Sequence, residues 1–188
     1  MKKENITKDN SKSHERVSLP KSSNVKGRQS LLFADVRNRG NESLSNAITV
    51  SGSRNIDQET GTIYLDRYLS SLVNQNRIWL IGGARGMDQW ATEWLLDHKE
   101  TCWIVVPFTT IDQPNSTQSL FRKVEKVIEL KLPKSKSAYI ARNKYMVDRS
   151  ELVFGFWTGK GGTLSTIRYA IKAFKEVHVY HIKQEDIK

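Results

Sequence analysis

From Ala47 onward, short continuous apolar runs alternate with stretches whose apolar residues recur every three or four positions. The runs are Ile48-Thr49-Val50, Ile78 to Ile81, Cys102 to Val106, Val127 to Leu132, Leu152 to Phe156 and Val177 to Ile182. Each is bounded by glycine, proline or polar residues and reads as a buried strand. Between them, Leu65, Tyr68, Leu69, Leu72 and Val73 share one helical face, as do Trp90, Ala91, Trp94 and Leu95. Further helices are expected at about Leu120 to Val124, Ala138 to Val147, and on the series Leu164, Ile167, Ile171 and Phe174. The polar stretch Thr109 to Thr117 reads as a loop.

Strands that are apolar throughout must be covered on both faces, and the intervening helices supply the cover. The expected fold class is therefore α/β: a Rossmann-like, mostly parallel sheet with helices on both faces, forming one domain over residues 46–188. Residues 1–45 break the pattern. They are rich in Lys, Ser and Asn, are interrupted only by the apolar patch Leu31-Leu32-Phe33, and read as a flexible basic tail and linker.

At 188 residues and 38% hydrophobic content the chain suits one buried domain plus some length outside the core. Cys102 is the only cysteine, so no internal disulfide forms. No apolar run reaches the roughly 18 residues of a membrane span, and the first 30 residues carry no signal-peptide stretch. A cytoplasmic protein without a membrane partner is expected. The formal net charge is +10. Residues 1–45 hold ten Lys/Arg against five Asp/Glu, and the remainder twenty against fifteen, so the excess is shared by tail and domain. That balance suits an anionic partner such as nucleic acid.

Candidate chemistry sits where strands end. Gly52-Ser53-Arg54 follows the first strand. Gly82-Gly83-Ala84-Arg85-Gly86-Met87-Asp88 follows the second and opens a helix. Gly159-Lys160-Gly161-Gly162-Thr163 follows the fifth and opens another. Small residues let backbone N–H groups approach an anion, and a helix start adds partial positive charge. Arg54, Arg85 and Lys160 add full charge. Neither glycine loop matches the G-x-G-x-x-G or P-loop pattern, so a standard dinucleotide or Walker-type site is not expected. Arg142-Asn143, on the helix before the fifth strand, is placed to reach the same pocket. Trp157, beside the third loop, is a candidate for base stacking. The His, Cys, Asp and Glu residues show no metal-ligand spacing, and no Ser-His-Asp set is readable. No cofactor is expected.

In this order, Gly52-Ser53-Arg54, the Gly82–Asp88 loop, Arg142-Asn143-x-x-Met146 and Gly159-x-Gly161-Gly162-Thr163 resemble the SLOG superfamily over about 135 residues. They look most like its DNA-processing protein A (DprA) and YspA-like branches. The resemblance implies a phosphate pocket for single-stranded DNA lined by Ser53, Arg54, Arg85, Arg142, Asn143 and Lys160. It also implies a role in DNA processing and recombination, and homodimerisation. A carboxyl-terminal winged helix is not expected, since the last predicted strand lies at the end of the sequence. The Lonely-guy (LOG) branch is more distant. Its loop carries a glutamate for cleaving nucleoside monophosphates, and Ser165 and Thr166 stand in the acid positions here. A binder rather than an enzyme is the leading expectation. The alternatives are a LOG-like phosphoribohydrolase and a nucleotide-signal sensor whose basic tail meets a protein partner.

Overall fold

The structure, a computed structural model, describes residue 44 and residues 46–187. The expected tail, apart from Leu44, lies outside the described residues. Six strands form one sheet: β1 (Ala47–Gly52), β2 (Ile78–Ile81), β3 (Thr101–Val106), β4 (Lys126–Glu129), β5 (Leu152–Trp157) and β6 (Glu176–His181). Their order is β4-β3-β2-β1-β5-β6, and every neighbouring pair is parallel. The sheet runs outward from β1 to β4 and then returns to β5 on the other side of β1. That reversal, between β1 and β5, is the point where ligands bind in open α/β sheets.

Helices α1 (Gln58–Leu69), α2 (Met87–Asp97), α4 (Lys136–Arg149) and α5 (Thr163–Lys172) cover the sheet, and α3 (Asn115–Gln118) is a single turn. Strand alternation assigns the faces. Ile48, Val50, Trp79 and Ile81 pack with Leu65 and Leu69 of α1 and with Ala91, Trp94 and Leu95 of α2. Ala47, Leu80 and Val105 point the other way, onto Tyr145 and Met146 of α4. Val153 meets Val147 of α4 and Ala170 of α5 there as well. Of the tryptophans expected in the core, Trp79 and Trp94 are buried, and Trp90 and Trp103 are half-buried.

Three expected elements differ. In place of a helix from Leu120 to Val124 there is one 3-10 turn, Leu120–Arg122, and the polar stretch before it holds a 3-10 turn, Thr110–Asp112, as well as α3. β4 stops at Glu129 rather than Leu132, because Lys131 takes a left-handed conformation (φ 51°) that breaks the extended run. Leu130 and Leu132 still donate to Val106 O and Pro107 O. Finally, Ile171 and Phe174 do not lie on the buried face of α5. That face is Thr163, Thr166, Ile167 and Ala170, and Phe174 is 97% exposed just beyond the helix end.

Among the described residues, no helix is long and apolar enough to cross a membrane.

Candidate nucleic-acid site at the sheet reversal

The ends of β1 and β5 are tied together. Ser53 N donates to Phe156 O at 2.9 Å, and the Ser53 hydroxyl accepts from Thr158 N and Thr158 Oγ1, each at 3.1 Å. Ser53 is buried, so in this structure its polar atoms join two strands. The start of α2 is fastened to the same place, since Met87 N donates to Ser53 O at 3.1 Å. Gly86 makes that approach possible. Its φ of 77° is the left-handed conformation, and a Cβ there would run into the backbone of Arg54.

Around this junction lies an open cleft of about 500 Å³. Among the residues predicted for the site, Gly52, Ser53, Arg54, Arg142, Asn143, Lys160, Gly161, Gly162 and Thr163 line it. Gly82, Gly83, Arg85, Gly86, Gly159 and Trp157 do not. Gly82 and Gly83 are packing positions: a side chain at Gly82 would collide with Arg142 and Asp88, and one at Gly83 would press on Ile104 and Val106. Arg85 is exposed on the neighbouring loop. Trp157 turns toward β6, its ring centroid 5.6 Å from that of His181, and its buried Nε1 has no hydrogen-bond partner among the described residues.

The lining also includes residues outside the predicted set, among them Ser51, Asn55, Ile140, Thr158 and two from the first turn of α4. Lys136 and Tyr139 sit in the first turn of α4, and both border the cleft. Arg54 stacks its guanidinium over the Tyr139 ring at 5.3 Å, and Phe108 meets the same ring edge-on. Their signal was present in the sequence. Tyr139 and Lys136 lie one and two helical turns before Arg142-Asn143, on the same face.

Arg142 and Asn143 serve different purposes. Arg142 is buried, donates from Nη1 to Gly82 O and Val105 O, and lies 3.7 Å from Asp88 Oδ2. Among the described residues its Nε has no hydrogen-bond partner. Burial pushes the Asp88 carboxyl up and the Arg142 guanidinium down, while each draws the other back toward its charged form. Asp88 also accepts from Ala84 N at 3.3 Å. Asn143 instead donates to Thr166 Oγ1 at 2.7 Å, joining α4 to α5.

The third loop is built differently from the second. Gly161 has a φ of 89°, and a Cβ at Gly161 or Gly162 would meet nothing. At Gly162 the φ is −74°, which any residue adopts, so packing does not demand glycine there. α5 begins with no side-chain cap, and its early amides, before the bonds from Ser165 and Thr166 back to Gly162 O, face the cleft end of the helix. Lys160 is exposed beside them. The cleft thus joins a helix start, room against the backbone and three cationic side chains (Arg54, Lys136 and Lys160), a combination suited to phosphate. Among the described residues no group of His, Cys, Asp and Glu is arranged to hold a metal ion.

Comparison with solved structures places the fold beside two proteins. DNA processing protein A from Streptococcus pneumoniae matches with a TM-score of 0.63 at 18% identity, over 71% of this chain and 49% of that one. The chain thus spans about half the length of that relative. DNA processing protein A from Helicobacter pylori, solved to describe its single-stranded DNA binding mode, matches with a TM-score of 0.60 at 19% identity, over 85% and 72%. Among curated proteins, comparison by sequence found no match. The family model for DNA recombination-mediator protein A, however, aligns with residues 20–187, nearly the whole sequence. With that match added to the sheet order and the cleft at its reversal, the chain belongs to the DNA recombination-mediator protein A family.

Proposed function

We propose that the cleft between β1 and β5 binds single-stranded DNA by its phosphates, in the service of DNA processing or recombination. The observation that carries this reading is the uncapped start of α5, its loop glycines open to solvent, ringed by Arg54, Lys136 and Lys160 at the reversal of the sheet. One phosphate is held by the amides of the Gly159–Thr163 loop. The cations neutralise its neighbours, and Tyr139, its ring already covered on one side by Arg54, offers an aromatic surface to a base. The Helicobacter pylori relative, a single-stranded DNA binder of the same fold, supports the choice of ligand.

Capture rather than bond cleavage is the role we assign. Asp88 is the carboxylate bordering the cleft, and its oxygen is taken up by Arg142 and Ala84 N. At the positions of the LOG glutamate, Ser165 borders the cleft and Thr166 is buried against Asn143. Release of free base from nucleoside monophosphates would overturn this assignment. A homodimer is also proposed, through the outer edge of β6, where Ile171, Phe174 and Val179 are exposed near a strand that, among the described residues, has no neighbour on that side.

The deciding experiment is a titration with labelled single-stranded oligonucleotide at several salt concentrations, with mononucleotides as competitors. Affinity should fall steeply with salt, by a slope of roughly 0.7 for each phosphate neutralised. Lys160→Ala and Lys136→Ala should each make that slope shallower without regard to base sequence. Affinity that ignores salt and both substitutions would sink the proposal.

A further inference from the structure

A second groove, of about 540 Å³, opens beyond the carboxyl end of β3, lined by Thr110, Ile111, Gln118, Ser119, Phe121 and Arg122, with Val127 at its foot. It has no part in the cleft at β1 and β5. Two of its features stand out: Ile111 is 82% exposed, and Arg122 is exposed beside it.

The groove has a fixed shape. Thr109 and Asp112 form a reciprocal cap over the 3-10 turn, and Lys134 Nζ reaches Asp112 Oδ1 at 2.5 Å. Gln118 Nε2 donates to Gln113 O at 2.9 Å and to Ile111 O at 3.3 Å, bracing the segment that presents Ile111. An apolar side chain held outward by its own backbone's hydrogen bonds offers a flat surface without further ordering.

The two hollows are neighbours through one loop. Ala84 borders the first cleft. One residue earlier, the Gly83 carbonyl accepts from Thr117 Oγ1 at 3.2 Å, and Thr117 precedes Gln118 of the second groove. Arg85, exposed and outside both linings, projects from that connecting loop. A cationic side chain therefore stands between a phosphate-binding cleft and a groove that ends in another arginine.

We infer that the second groove is a further nucleotide subsite for the same single strand. Arg85 neutralises a phosphate on the way, Arg122 neutralises one at the far end, and Ile111 packs against a base. The inference rests on the proposed binding of single-stranded DNA in the first cleft.

Its test compares two labelled oligothymidylates, roughly 4 and roughly 16 nucleotides long, lengths that bracket common single-strand site sizes. With the wild-type chain the longer one should bind at least about tenfold tighter than the shorter, a gap on the order of 1.4 kcal/mol. Arg85→Ala and Arg122→Ala should each erase most of that advantage while leaving the short oligonucleotide unaffected. Lys160→Ala, in contrast, should weaken both lengths. If wild-type affinity does not grow with length, or if the arginine variants hold the long strand as tightly as the wild type, the second subsite is refuted and the first cleft stands. If neither length binds, both fall.

Discussion

Arg142 of α4 and Asp88 of α2 meet inside the protein, Nη1 3.7 Å from Oδ2, with 4% and 6% of their surfaces exposed. The pair closes the floor of the cleft and joins helices on opposite faces of the sheet across the end of β2. Its guanidinium also takes the Gly82 and Val105 carbonyls, so one side chain satisfies three elements.

Removing Asp88 leaves the buried Arg142 guanidinium without its counter-charge. Asp88→Ala is expected to lower stability by about 3–5 kcal/mol, the usual penalty for breaking a buried ion pair from one side. Urea denaturation measures it. A loss under about 0.5 kcal/mol, the range of surface substitutions, would show that the pair is not formed.

The glycines divide into two kinds, and substitution should separate them. Gly86→Ala places a Cβ against the Arg54 backbone at a φ of 77° and should destabilise the fold by more than about 1 kcal/mol. Gly162→Ala meets nothing and keeps an ordinary φ, so the fold should hold or gain slightly while oligonucleotide affinity falls. Thermal unfolding and the binding titration, run on both variants, give the comparison. Equal effects on stability would contradict it.

Strands and the order of elements were legible because buried parallel strands write themselves as unbroken apolar runs. What escaped was fixed by polar contacts. The turns at Thr110–Asp112 and Asn115–Gln118 are held by Thr109, Asp112, Gln118 and Thr117, whose bonding leaves no mark on hydrophobic spacing. At the site, charge and glycine content drew attention to Arg54, Arg85, Arg142 and Lys160 alike, yet only burial and packing distinguish them. Arg142 lies beneath the surface and Arg85 outside the cleft, whereas Lys136 and Tyr139 came in on the helix face that Arg142-Asn143 had marked. Trp157 stands beside the loop in sequence, but at a strand end alternate side chains point to opposite faces.

Phe174 shows a related effect. It keeps the spacing of α5 but follows its last residue, occupying the left-handed position (φ 55°) of a terminal motif in which Lys175 N bonds Ala170 O and Phe174 N bonds Ile171 O. Glycine is the natural occupant there. Phe174→Gly should therefore raise monomer stability by roughly 0.5–1 kcal/mol, since the strain relieved outweighs the added freedom of the unfolded chain. Denaturation at low protein concentration checks it, and a marked loss would mean that the ring is packed against something.

The carboxyl-terminal segment supplies a pH-dependent signature. Tyr64 Oη donates to Asp186 Oδ2 at 2.8 Å, and burial, aided by that carboxylate, pushes the phenol from 10 up to about 12. A folded-state pKa above the unfolded value means that the contact's contribution is complete below pH 10 and is lost as pH rises through about 12. Absorbance titration should show Tyr64 among the late-ionising tyrosines, beside Tyr180, which burial also pushes up, and Asp186→Asn should bring Tyr64 alone back toward 10. A Tyr64 that already ionises near 10 in the wild-type chain would refute the contact.

The Ser53–Thr158 bonds join positions 105 residues apart. Of the six described strands the central β1 is made first, yet its neighbour β5 comes only after β2, β3 and β4. Parallel pairing over such separations is slow, because the loop-closure entropy must be overcome before contacts form. A cleft lined from the ends of both β1 and β5 is complete only once β5 has docked beside β1. If the proposed ligand binds across that seam, it would hold β1 and β5 together much as a cross-link between two distant stretches of chain would.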